Sequence, residues 1–157
     1  MRRLPLLLEA LKRLDWTVMI ATAGRGLAPS DGGRLFAAKY LPGAAACARA
    51  DVIISNGGSL TTTQALTAGK PVLGICSNVD QFLEMQAVQA AGAGLMLRSD
   101  RFTASDAEAA LRRLIEPGVT RAAERLRASI QDGALGKALD RAIAELLGGG
   151  VRPSVSD

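Results

Sequence analysis

The sequence contains no histidine, only 3% aromatic residues and just two cysteines in 157 residues. Without histidine the chain by itself holds no Ser-His-Asp triad, no Cys-His pair, no imidazole base and no histidine metal ligand. So few aromatics give no stacking platform for single-stranded nucleic acid. Two cysteines do not make a disulfide scaffold, and Cys47 and Cys76 read as small core residues. No stretch approaches the roughly 20 apolar residues that a membrane-crossing helix needs. The opening run Met1-Arg2-Arg3-Leu4-Pro5-Leu6-Leu7-Leu8 imitates a secretion signal, but Glu9 and Lys12-Arg13 interrupt it and no small-residue cleavage site follows. A cytoplasmic location is therefore expected.

What is present is 48% apolar and 22% charged residues, the composition of one globular domain. A chain of this size buries roughly 70% of its unfolded surface and holds a core without staples. The 19 basic and 15 acidic residues leave +4, which favours anionic partners. Arg98, Arg101, Arg112, Arg113, Arg121, Arg125 and Arg127 alternate with acids along helical stretches, so no specific nucleic-acid surface is expected.

Short apolar runs alternate with helical periodicity along the chain. Leu4, Leu7, Leu8, Leu11 and Leu14 predict an amphipathic helix with Pro5 in its first turn, where a missing N–H costs nothing. Residues 16–22 predict a buried strand, 34–41 a weaker one, 43–50 a short Ala-rich helix and 51–55 a third strand. A helix over 60–68, a strand over 71–76, a helix over 81–91 and a strand over 94–97 follow. Ser105 and Glu108 form a capping-box pattern for a helix to about Ile115. Pro117-Gly118 read as punctuation before helices over 120–129 and 135–147, and Gly148-Gly149-Gly150 opens a flexible tail to Asp157. Residues 1–147 thus form a single α/β domain, a Rossmann-like parallel sheet with helices on both faces.

In such a sheet ligands bind outside the carboxyl ends of the strands. The loop after the third strand, Ser55-Asn56-Gly57-Gly58-Ser59, leads into Leu60-Thr61-Thr62-Thr63. Two glycines let the backbone come close while hydroxyls and free N–H groups gather at a helix start, which suits a phosphate or diphosphate; a tight turn with an ordinary N-cap fits the same residues. The loop is neither a Walker loop nor a dinucleotide fingerprint, since it lacks Lys-Ser or Lys-Thr and the G-x-G-x-x-G spacing. Thr22-Ala23-Gly24-Arg25-Gly26 carries only a G-x-G, best read as a loop with glycine at positive φ. Asp80-Gln81 offers acceptor and donor groups for hydroxyls, or Asp80 caps the next helix.

The ordered string Ser55-Asn56-Gly57-Gly58-Ser59, Thr63-Gln64-Ala65-Leu66, Ala68-Gly69-Lys70-Pro71-Val72, Asp80-Gln81 and Gly92-Ala93-Gly94 resembles the donor-binding C-terminal domain of GT-B nucleotide-sugar glycosyltransferases, the UDP-glycosyltransferase and macrolide glycosyltransferase superfamily. The resemblance covers about Val18 to Ile115. It implies inverting sugar transfer from a nucleoside diphosphate sugar such as a UDP- or dTDP-sugar, with no metal ion and no separate cofactor.

On the matching positions it implies that Gly57, Gly58, Ser59, Thr61 and Thr62 hold the diphosphate. Asn56 stands where the family usually places a phosphate-touching histidine, and Gln64 where many members place a ribose-gripping glutamate. Asp80 and Gln81 match the pair that reads the sugar hydroxyls. Tyr40-Leu41-Pro42 falls at the nucleobase, with Tyr40 stacking and the Leu41 backbone bonding the base edge; a buried core tyrosine fits Tyr40 as well. Catalytic residues are expected on an acceptor-binding N-terminal domain or subunit, not here; the alternative reading is a non-catalytic nucleotide or nucleotide-sugar binding module or a truncated, inactive fragment, with Asn56 and Gln64 marking lost activity. The family's first strand, central in its sheet, has no counterpart, so two unpaired strand edges and association, including with a second copy, are expected.

Overall fold

The computed structural model describes residues 4–25 and 33–132. The element order is α1 (Leu4–Leu14), β1 (Val18–Ala21), β2 (Leu35–Ala38), α2 (Gly43–Arg49), β3 (Ile53–Ser55), α3 (Ser59–Thr67), β4 (Val72–Cys76), α4 (Val79–Ala90), β5 (Gly94–Arg98), α5 (Ala104–Leu114) and α6 (Pro117–Gln131). The expected helix over 135–147 and the tail lie outside the described residues.

All strand pairs are parallel, as continuous apolar runs joined by helices require. They form two sheets, β1–β2 and β3–β4–β5. Among the described residues β1 is laddered only to β2 and β3 only to β4. The central strand of the larger sheet, β4, is the best buried: Val72 and Leu73 are fully enclosed. Two core clusters cover it. One joins Leu7, Ala10 and Leu11 of α1 to Leu73 and to Ala107, Leu111 and Leu114 of α5. The other packs Ala65, Met85 and Val88 against Val72 and Cys76, with Ala122 and Ala123 of α6. The apolar stripes of α1 and α5 thus meet on one face, and α3, α4 and α6 cover the other.

Three helix starts differ from expectation, and α4 begins at Val79, two residues before Gln81. The capping box of α5 is built by Thr103 and Asp106 rather than Ser105 and Glu108: Asp106 N–H donates to Thr103 Oγ1 at 3.1 Å, and Thr103 N–H donates to Asp106 Oδ2 at 2.8 Å. The shift places Ala104, Ala107 and Leu111 on the buried face. Pro117 opens α6 instead of ending a turn, because proline at the first helical position forfeits no intrahelical bond. Gly118 is then taken into the first turn, where no atom lies within 4 Å of the missing side chain.

Candidate functional site

Three loops follow β2, β3 and β4 at their carboxyl ends, and the last two lie against one another. Gly57 has φ +79°, and a Cβ there would sit 2.7 Å from Met85 Cγ, 2.9 Å from Cys76 Sγ and 3.5 Å from the Gln81 carbonyl. Only glycine combines this left-handed turn with such close approach. Gly57 is buried; the loop runs over the side of β4 and the first turn of α4 before α3 begins.

The loop fastens itself. Ser55 Oγ accepts from Gly57 N–H at 3.0 Å, and Asn56 Oδ1 accepts from Gly58 N–H at 3.1 Å. Gly58 is the N-cap of α3, and no side chain caps the helix. Thr62 N–H bonds to the Gly58 carbonyl at 3.1 Å, while the N–H groups of Ser59, Leu60 and Thr61 have no partner among the described residues. Three backbone donors and the positive end of the helix therefore open on one point. Ser59 is exposed and Thr61 half-buried at that opening.

Thr62 corrects the expectation that its hydroxyl reaches the ligand. It is fully buried, and its Oγ1 is enclosed without a hydrogen-bond partner. Successive helical residues are about 100° apart, so a turn that leaves Ser59 and Thr61 accessible carries Thr62 into the packing.

The β4–α4 loop places the expected pair differently from a simple cap. Asn78 caps α4, accepting from Gln81 N–H at 3.0 Å, so Asp80 is free of capping duty and stands exposed in the first turn. Gln81 folds back: its Oε1 accepts from Ser77 N–H at 2.8 Å and from Ser77 Oγ at 3.1 Å. An N–H can donate only to the carbonyl side of the amide, so Ser77 fixes the orientation and leaves the Gln81 NH2 pointing away as a donor. The pair then offers a carboxylate acceptor beside an amide donor. Asn78 and Gln81 stand three apart in the capping-box spacing, so this helix start was readable; the Ser77 contact had no sequence signal.

The remaining expected residues divide. Leu41, Thr61 and Gln64 line one cleft of about 1170 Å³, together with Gly43 and Leu60. Gln64 is half-buried and packs its amide against Gly43 at the start of α2, where any side chain would collide with it. Tyr40 is 71% exposed, so it is no core tyrosine; Lys39 Nζ lies 5.5 Å from its ring centroid. Cys47 and Cys76 are buried, and burial pushes both thiols up, away from reactive thiolate. Among the described residues no three acidic or cysteine side chains gather as a metal set, and no helix is long and apolar enough to cross a membrane. Arg112 pairs with Glu108 at 2.9 Å, Arg98 with Asp100 at 2.9 Å and Arg13 with Glu9 at 2.5 Å, in keeping with mixed rather than basic helix faces.

Comparison with known proteins places this geometry. A rhamnosyltransferase of PGL/p-HBAD biosynthesis from Mycobacterium bovis (strain BCG / Pasteur 1173P2) is 49% identical over 112 residues, 71% of this chain and 25% of the relative. A PGL/p-HBAD biosynthesis glycosyltransferase from Mycobacterium tuberculosis (strain ATCC 25177 / H37Ra) is 46% identical over 122 residues, 78% of this chain and 28% of the relative. The chain thus spans about a quarter of the length of these relatives. The solved structure of spinosyn forosaminyltransferase SpnP superposes with a TM-score of 0.72 at 25% identity, over 90% of this chain and 38% of that one. The model of the family described as erythromycin biosynthesis protein CIII-like, C-terminal domain, matches residues 5–137, and the chain belongs to that family of glycosyltransferase C-terminal domains.

Proposed function

We propose that this chain is the donor-binding half of an inverting glycosyltransferase, which takes a nucleoside diphosphate sugar and works with an acceptor-binding domain or subunit that supplies the catalytic base. The observation that carries the reading is the first turn of α3, where three unpartnered N–H groups open beside a self-fastened glycine loop. A diphosphate would accept from these donors, and the same turn would stabilise charge growing on the departing nucleoside diphosphate. Asn56 supports the loop through its Oδ1, and its amide NH2 would donate to the diphosphate. Gln64 and Leu41 in the cleft would hold the ribose and base edge, with Tyr40 beside them as the exposed ring for the base. Asp80 and Gln81 would read the sugar hydroxyls.

The donor sugar follows from the relatives only in class. A rhamnosyltransferase and a forosaminyltransferase among them favour a deoxysugar as the transferred group. Metal-free binding is part of the proposal, since backbone N–H groups supply the positive field that a metal would otherwise provide.

The test is thermal unfolding of the chain with UDP, dTDP, GDP and ADP, alone and as sugar conjugates. A ligand at a hundred times its Kd adds about 2.7 kcal/mol, roughly 5–10 °C for a chain of this size. Gly58→Asp puts a carboxylate where phosphate belongs. The backbone at 58 has an ordinary negative φ, and its new Cβ meets only the Asn56 side chain at 3.2 Å. The variant should fold and lose the nucleotide shift; an undiminished shift would remove the diphosphate from the α3 turn.

A further inference from the structure

Gln81 is held by both its backbone and its side chain. Its N–H donates to Asn78 Oδ1 at 3.0 Å, and its carbonyl accepts from the Cys76 thiol at 3.4 Å. The same carbonyl lies under the Gly57 turn, 3.5 Å from where a Cβ of that glycine would sit. At the far end of the residue, Oε1 accepts from the Ser77 N–H at 2.8 Å and from the Ser77 hydroxyl at 3.1 Å. The backbone of Gln81 is thus tied to the floor of the glycine loop, and its amide to the β4–α4 loop.

Burial does not demand the Ser77 contacts. Ser77 is exposed, so water would satisfy its N–H and hydroxyl equally well. Gln81 gives up rotamer freedom to be held there, and an exposed hydrogen bond that replaces one to water returns little net stability. What the two contacts achieve is direction. The Ser77 N–H can only donate, so a reversed amide would set two donors against each other. One hydrogen bond would still let the amide swing about it; the Ser77 hydroxyl, a second contact on the same oxygen, limits that swing. The amide NH2 has two hydrogens, no accepting pair and no partner among the described residues.

We propose that the Ser77 hydroxyl is a positioning group for sugar selectivity, which acts through the shared Oε1 to hold the Gln81 NH2 against one sugar oxygen. The proposal rests on the donor-binding function above and adds the class of sugar, one with a neutral oxygen at the position that the NH2 faces. A sugar with hydrogen there leaves the amide hydrogens unpaired, and an ammonium has no lone pair to offer them. Asp80 makes the converse demand for a hydroxyl that donates, so the two neighbours together suit a pair of neutral hydroxyls.

Titration calorimetry on the chain tests this with dTDP, UDP, their rhamnose conjugates and conjugates lacking one ring hydroxyl in turn, rhamnose being taken from the rhamnosyltransferase relative. Ser77→Ala should weaken a rhamnose conjugate about 2–10-fold, the contribution of one neutral hydrogen bond, and leave the free nucleotide unchanged. Ser77→Thr keeps the hydroxyl and should restore the affinity. With Gln81→Leu already made, Ser77→Ala should have no further effect. Among the deoxygenated conjugates, the one without the oxygen facing the NH2 should be insensitive to Ser77→Ala.

An unchanged conjugate affinity in Ser77→Ala overturns the proposal, as does an equal loss for conjugate and free nucleotide, which a merely structural role would give. A loss that persists beside Gln81→Leu also overturns it, because the Ser77 hydroxyl would then touch the sugar itself. An equal loss across all deoxygenated conjugates removes the NH2 from the sugar oxygens. Nucleotide binding without the selective loss fails only this proposal, whereas an unsubstituted chain that binds neither nucleotide fails the functional reading and the proposal with it.

Discussion

Asp80 shows what single residues contribute at this site. It is exposed, lies in the first turn of α4 and is relieved of capping by Asn78, so little of the fold depends on it. Its favourable position near the helix N-terminus contributes about 0.3–1 kcal/mol, and Asp80→Ala should cost no more stability than that. A carboxylate that accepts from sugar hydroxyls contributes more, about 1.5–3 kcal/mol. The variant should therefore bind a sugar nucleotide about 10–100-fold more weakly while binding the free nucleotide as before. Titration calorimetry with both ligands checks this, and equal weakening of the two would move Asp80 out of the sugar site. Gln81 is the less tolerant partner, because its orientation is fixed by the two Ser77 contacts and its backbone closes the Asn78 cap. The glycine loop was legible as a tight turn between a strand and a hydroxyl-rich helix start, while its use was not, because a phosphate cradle and an ordinary N-capped turn share these residues. The burial of Thr62 was not, because three consecutive threonines look alike until the helix is set at its angle against β4.

Helix starts decide the element scale. At α5 the two overlapping patterns, Thr103 with Asp106 and Ser105 with Glu108, both satisfy the capping-box template, and local sequence cannot separate them. Packing does: the earlier start buries Ala104 and puts Ala107, Ala110, Leu111 and Leu114 into one cluster with α1 and Leu73 of β4. Thr103→Ala should lower stability by about 0.5–2 kcal/mol, as lost N-caps do, measured by urea unfolding. The cap also sets an acid response. Hydrogen bonds from the Thr103 N–H and hydroxyl hold the Asp106 carboxyl below the usual range. A carboxyl with a depressed native pKa contributes stability that is complete above its unfolded value, near 3.9, and is lost as pH falls through the lower native value. Asp106→Asn should therefore flatten the fall in stability below about pH 4 relative to the unsubstituted chain, and an unchanged acid limb would separate the cap from that response. The strands were easier to read than the caps. Doubly covered parallel strands need only a short apolar run, and all five runs formed strands, trimmed where Trp16 and Thr17 precede β1 and Tyr40 and Leu41 follow β2.

At the scale of the whole molecule the divided sheet predicts unequal stability. The β3–β4–β5 sheet is covered by both core clusters, with Val72, Leu73, Met85 and Leu111 fully enclosed. The β1–β2 pair has no such cover: Phe36 is 56% exposed, and the pair reaches the main core chiefly through Val18 and Trp16. A two-stranded parallel ladder without a covered face is weak by itself, because its hydrogen bonds exchange with water and little apolar area holds it. It should open well below the free energy of global unfolding, as a separate unit. Native-state hydrogen exchange is the direct check. The β4 amides should be the slowest and should report the global transition, while the Val18 and Thr22 amides, which donate to the Arg34 and Ala38 carbonyls across the β1–β2 ladder, should exchange at least about tenfold faster. Uniform protection of both sheets would mean that the two parts unfold as one and that the cleft between them costs nothing.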